Sequence, residues 1–185
     1  MTRLTDEQYE YIKGEVVALF ERYNIRCIPI SGFEIAYKMK IQLIPYSSLS
    51  EEKYTVAMEA SPDGFYMEAM DGSDIIYYND KLSNERTYER LNMTILHEIG
   101  HCVLDHTGES EMEELEAKFF AKYAAAPPPL VHQIHPKRPE DIEDAFCLSY
   151  TASVYAINYY YKWLMYGKDG SSGYEARLLR LFQIA

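Results

Sequence analysis

The chain has 185 residues, 48% of them hydrophobic, enough to bury a core and most simply to form one domain. Its formal net charge is −11, and an acidic surface repels phosphate backbones and anionic lipid, so neither nucleic acid nor a membrane is expected as the primary partner. No apolar run approaches a bilayer span and the N-terminal stretch has no apolar signal core, which predicts a cytoplasmic location.

Residues 4–23 read as a helix. Thr5 and Gln8 form a capping box, and Tyr9, Ile12, Val16, Leu19, Phe20 and Tyr23 recur at core-facing helical spacing. Ser31 and Glu34 repeat the capping-box signal before a short helix ending at Met39. Residues 40–46 switch to strand character, with Pro45 marking an exposed edge. Residues 47–60 carry a weak signal, with Ser50-Glu51-Glu52 opening either a helical turn or a loop. Residues 65–70 and 75–78 flank Asp71-Gly72 and predict two antiparallel strands joined by a tight turn, an edge on which an extended peptide could pair.

A helix is expected over 84–106 with Ser83 as its cap, carrying an apolar stripe of Tyr88, Leu91, Ile95, Ile99 and Cys102 or Val103. A second follows over 111–126, opened by Ser110 and Glu113 and closed by Pro127-Pro128-Pro129. After a proline-broken stretch containing His132 and His135, helices are predicted over 139–146, 150–166 and 174–183, with a Gly/Ser-rich link at 168–173. The two-helix unit joined at 147–149 has the outline of a helix-turn-helix but no basic surface, which argues against DNA binding. Cys27, Cys102 and Cys147 are too few and too scattered for a disulfide framework. They suit a reducing compartment, and each reads as a buried apolar thiol.

The chemistry concentrates in residues 91–106, L-N-M-T-I-L-H-E-I-G-H-C-V-L-D-H. On a helix, His97 and His101 project from one face a turn apart, so their imidazoles can converge on one ion. Glu98 sits beside them without being a ligand, the arrangement of a zinc site with its general base. A catalytic zinc takes three protein ligands. A third histidine in the pattern H-x-x-x-H-x-x-G-x-x-H is excluded, because Leu104 and Thr107 occupy the required glycine and histidine positions. His106 falls one residue early and is expected beyond the cleft at the helix end, where the dipole favours a cation. Alternatively, it or a tyrosine could donate to an oxyanion. A glutamate on the next helix is the other solution. Glu113 is taken by the capping box. Glu114 shares a face with Ala117, Ala121 and Ala125, and Glu116 lies on the other flank, so Glu114 ranks first and Glu116 second.

H-E-I-G-H followed by E-L-E-A-K-F-F-A-K-Y-A-A-A-P resembles the two motifs of the ImmA/IrrE family of zinc metallopeptidases. A weaker likeness runs through I-P-I-S-G-F-E-I-A-Y-K-M-K-I and F-C-L-S-Y-T-A-S. The resemblance implies His97, His101 and Glu114 as ligands of Zn2+ and Glu98 as catalytic base. Ala117, Phe120-Ala121 and Pro127 match the rest of the second motif. Lys118 departs from the Asn or Asp usual there, and Ala124-Ala125-Ala126 from a bulkier L-L-M.

The expected architecture is α+β and zincin-like: a small, mostly antiparallel sheet packed with the zinc helix and the glutamate helix over 1–130, and a helical extension over 131–185. The expected function is that of a zinc-dependent endopeptidase. The resemblance implies a cytoplasmic protein substrate such as a helix-turn-helix repressor. The alternatives are a non-catalytic module of the same fold that sequesters a repressor, or a toxin–antitoxin component.

Overall fold

The computed structural model describes residues 2–81, 87–108, 110–167 and 173–183. Its folded chain divides into two compact units, Ser31–Ala121 and the combination of Met1–Ile30 with Lys122–Ala185. These lines differ from a division at residue 130, because the N-terminal helix groups with the C-terminal helices.

In the unit Ser31–Ala121, helix α2 (Gly32–Met39) opens at Ser31, whose hydroxyl accepts from Glu34 N–H at 3.2 Å. Only this half of the expected box is seen; the Glu34 carboxylate pairs with Lys38 at 2.6 Å. The strand that follows, β1 (Gln42–Pro45), leads through a 3₁₀ turn (Tyr46–Ser48) into α3 (Glu51–Ala60). The poorly readable segment is thus mostly helical, with Ser50 accepting from Lys53 N–H as its cap.

Strands β2 (Gly64–Glu68) and β3 (Asp74–Tyr78) pair antiparallel, Tyr66 opposite Ile76. Their turn closes with Gly72 N–H donating to Ala69 O at 2.9 Å, and Gly72 takes φ 79°, a left-handed value that suits glycine. Strand β1 joins the other side of β3 in parallel, Leu43 opposite Ile76, giving the order β1-β3-β2. The sheet is therefore mixed and not mostly antiparallel. A parallel pair needs a long crossover, and here α3 and β2 lie between β1 and β3 in the chain. The outer position of β1 leaves Pro45 at an edge, as its missing N–H requires.

The sheet and α2 pack on α4 (Thr87–Val103). The buried face of α4 is Asn92, Ile95, Leu96 and Ile99, and Asn92 Oδ1 accepts from Gly32 N–H at 2.7 Å to tie α2 down. Tyr88, expected in that stripe, is instead 45% exposed and stacks on Phe33. The proposed cap Ser83 lies outside the described residues. Helix α5 (Glu111–Ala125) begins in this unit.

In the other unit, α1 (Asp6–Tyr23) starts at the predicted Thr5–Gln8 capping box and buries Ile12, Val16, Val17, Leu19 and Phe20, while Tyr9 and Tyr23, expected on the same face, are only partly buried. Helices α6 (Pro128–Gln133), α7 (Pro139–Phe146), α8 (Tyr150–Tyr166) and α9 (Gly173–Leu181) complete it. The tri-proline stretch starts α6 as well as ending α5, since proline suits a first helical turn. His132 packs there, its Nδ1 2.9 Å from the Tyr160 hydroxyl. Glu175 accepts from Trp163 Nε1 at 2.7 Å. Most of the Gly/Ser link lies outside the described residues.

All three cysteines are free thiols, but they are less buried than expected: Cys27 is exposed, and Cys102 and Cys147 are intermediate. Among the described residues, no helix is long and apolar enough to cross a membrane.

Candidate metal centre

Helix α4 buries one face against the sheet and turns its adjacent face to an open cleft of about 1040 Å³, lined by residues that include His97, Glu98, His101 and Glu114. His97 Nε2 and His101 Nε2 stand 3.2 Å apart. From α5, Glu114 places Oε1 3.3 Å from His101 Nε2 and Oε2 3.7 Å from His97 Nε2. One ligand atom from each of the three residues can be chosen with all within 4.8 Å of one another. A tetrahedral zinc with bonds of about 2.0–2.1 Å spaces its ligand atoms about 3.3–3.4 Å apart. The two ring nitrogens stand close to that spacing, each histidine has its own oxygen of Glu114 nearby, and two imidazoles with one carboxylate are a donor set that zinc accepts. These three residues can hold a metal ion.

The connection between the helices sets this up. At the end of α4, Asp105 adopts φ 55°, His106 N–H donates to His101 O at 3.0 Å, and Asp105 N–H donates to Cys102 O at 3.3 Å. This is a Schellman turn with Asp105 as its left-handed residue. The next helix is then started by the predicted box, Ser110 N–H to Glu113 Oε2 at 2.9 Å and Glu113 N–H to Ser110 Oγ at 3.2 Å. Those bonds, the Ser110 hydroxyl foremost, hold the Glu113 carboxyl down at about 2. With Glu113 occupied at the cap, the next residue, Glu114, faces the histidines.

Burial is the largest influence on the histidines. It pushes His97 down to about 4, with His101 adding to the effect, and lowers His101 as well, so both present neutral rings with a lone pair for a metal. Glu114 lies below the usual carboxylate range: burial opposes ionisation, but His97, Lys118 and His101 outweigh it. Lys118 Nζ lies 3.2 Å from Glu114 Oε2, with the lysine side chain 57% exposed.

No protein-family model matches the chain, and no curated protein sequence matches it at a significant level.

Glu98 is 6% exposed and leaves the ligand group to the other three. Its Oε2 accepts from Tyr66 N–H on β2 at 2.9 Å. Burial pushes its carboxyl up to about 7 against the pull of that N–H, with Glu114 and Asp63 raising it further. A carboxyl poised there exchanges protons near neutrality, which is what a general base needs. Cys102, next to His101 in sequence, stands outside the group; burial and Asp74 push its thiol up to about 11.

Two residues sit elsewhere than the sequence suggests. His106 is folded back under the site, its side chain 5% exposed, with Nδ1 3.0 Å from His101 Nδ1. Glu116, the second-ranked ligand, is 3.0 Å from His106 Nε2 and does not join the ligand group. Both ring nitrogens of His106 are thus engaged, which removes it as an oxyanion donor. The Schellman turn causes this, bringing its final residue against the one five earlier, and with aspartate at its left-handed position the sequence carries little signal of it.

Proposed function

We propose that this chain is a zinc-dependent endopeptidase of the ImmA/IrrE type that cleaves a cytoplasmic protein partner such as a helix-turn-helix repressor. The observation that carries the reading is the convergence of His97, His101 and Glu114, one ligand atom from each lying within 4.8 Å of the others, with a buried glutamate beside them. The same three residues are the ligands that the family resemblance implies.

When bound, zinc would supply Lewis-acid chemistry, activating water and polarising the scissile carbonyl. Glu98 takes the proton of the attacking water and delivers it to the leaving amine. The Tyr66 N–H orients that carboxylate from the neighbouring strand. Strand β2 is an outer strand of the sheet and contributes Phe65, Tyr66 and Met67 to the cleft wall, so an extended peptide can align along it by strand addition.

The test is to load purified protein with zinc and incubate it with the repressor encoded nearest its gene. Cleavage by the wild type that is lost in Glu98→Gln supports the proposal; equal cleavage by that variant refutes the assignment of the base.

One observation favours a second reading. Lys118 pairs with Glu114 and places a cation beside the proposed ligands. A module that sequesters a repressor without cutting it would tolerate that cation, and would show no metal above background after repletion.

A further inference from the structure

Beyond the ligands and the base, one chain of polar contacts leaves the site: His101 Nδ1 to His106 Nδ1 at 3.0 Å, then His106 Nε2 to Glu116 Oε2 at 3.0 Å. The first contact joins two nitrogens of the same kind, so it forms only if one carries a proton and the other does not. The second joins a ring nitrogen to a carboxylate, which accepts and therefore calls for N–H on His106 Nε2.

With a neutral His106, these requirements fix the register. A neutral His106 with its proton on Nε2 has a bare Nδ1, which accepts from His101 Nδ1–H. His101, neutral with its proton on Nδ1, has a bare Nε2. That nitrogen faces His97 Nε2 at 3.2 Å and Glu114 Oε1 at 3.3 Å. In the opposite register the His101 proton lies on Nε2, pointing among the ligand atoms, and the ring cannot coordinate.

We propose that His106 and Glu116 are a positioning pair that holds the proton of His101 on Nδ1 and so presents the Nε2 lone pair to the metal. The inference rests on the reading of this site as a metal centre. It gives His106 a task that no surface role explains, since its side chain is 5% exposed at the end of a helix. The Asp105 turn makes the contact possible by folding His106 back onto its own helix. Partners of this kind orient a ligating imidazole, and their loss typically weakens metal binding about 10–100-fold.

The experiment measures zinc affinity by competition with a chromophoric chelator for wild type, His106→Phe and Glu116→Ala, with melting curves of each metal-free protein. Long-range ¹H–¹⁵N spectra of the metal-free proteins report which ring nitrogen is protonated. Expected are His101 on Nδ1 and His106 on Nε2 in the wild type. Both variants should bind zinc about 10–100-fold more weakly at little-changed melting temperature, with His101 shifting toward Nε2–H in His106→Phe. Wild-type His101 protonated on Nε2, or unchanged affinity in both variants, would overturn the proposal. Should His106→Phe fail to fold, Glu116→Ala, altered at a more exposed side chain, carries the affinity arm. If the wild type takes up no zinc, the peptidase reading fails, and the positioning pair is judged by the spectra alone.

Discussion

The ring of Phe120 lies directly on Gly100, the glycine within H-E-I-G-H. A β-carbon on Gly100 would stand 3.1 Å from Phe120 Cδ1 and 3.2 Å from its Cβ and Cγ. Phe120 is fully buried, so it has little room to give. Gly100→Ala should therefore cost about 1 kcal/mol net, the strain of overpacking exceeding the gain in helix propensity. It should also weaken zinc binding, because Phe120 and Glu114 share α5. Urea denaturation of the metal-free variant, with a chelator competition, checks both.

What could be read from the chain divides along the range of the interactions. Thr5–Gln8, Ser110–Glu113 and the pair His97 and His101 are defined by spacings of three or four residues on one helix, so the pattern carries the geometry. Glu114 was reachable because the box consumes Glu113 and the small-residue face singles out its neighbour. The parallel pairing of β1 with β3 was not legible, because residues such as Leu43 and Ile76 meet only after the intervening helix and strand have folded. His106 was missed for a subtler reason. Its placement depends on Asp105 adopting a left-handed conformation that glycine or asparagine would have advertised and aspartate does not.

Glu98 should make the metal-free protein less stable as pH rises. Its carboxyl is pushed from 4.5 up to about 7 in the folded chain. The folded state therefore binds more protons than the unfolded state between those values. Its contribution is fully present below pH 4.5 and is lost as pH climbs through 7, amounting to about 3 kcal/mol. Urea denaturation with chelator at pH 5 and pH 8 should show this loss in the wild type. The difference between wild type and Glu98→Gln isolates the carboxyl from the other titrating groups, and identical pH dependence in the two would contradict the assignment.

Lys118 should restrain metal binding. Its ammonium lies 3.2 Å from Glu114 Oε2 but is more than half exposed, so solvent screens most of its field. Replacing it with the neutral Asn should strengthen zinc binding by roughly fivefold, about 1 kcal/mol. Competition titration reads this directly. Weaker binding in Lys118→Asn would instead make the lysine an orienting partner of Glu114.

If His97, His101 and Glu114 form one metal centre with Glu98 beside it as base and not as ligand, the metal content of single variants must follow that division. Native mass spectrometry of zinc-repleted protein tests it most directly, comparing wild type with Glu98→Gln and Glu114→Ala. One zinc ion per chain is expected in the wild type and in Glu98→Gln, and loss of that ion in Glu114→Ala. No zinc in the wild type, or full occupancy in Glu114→Ala, would contradict it.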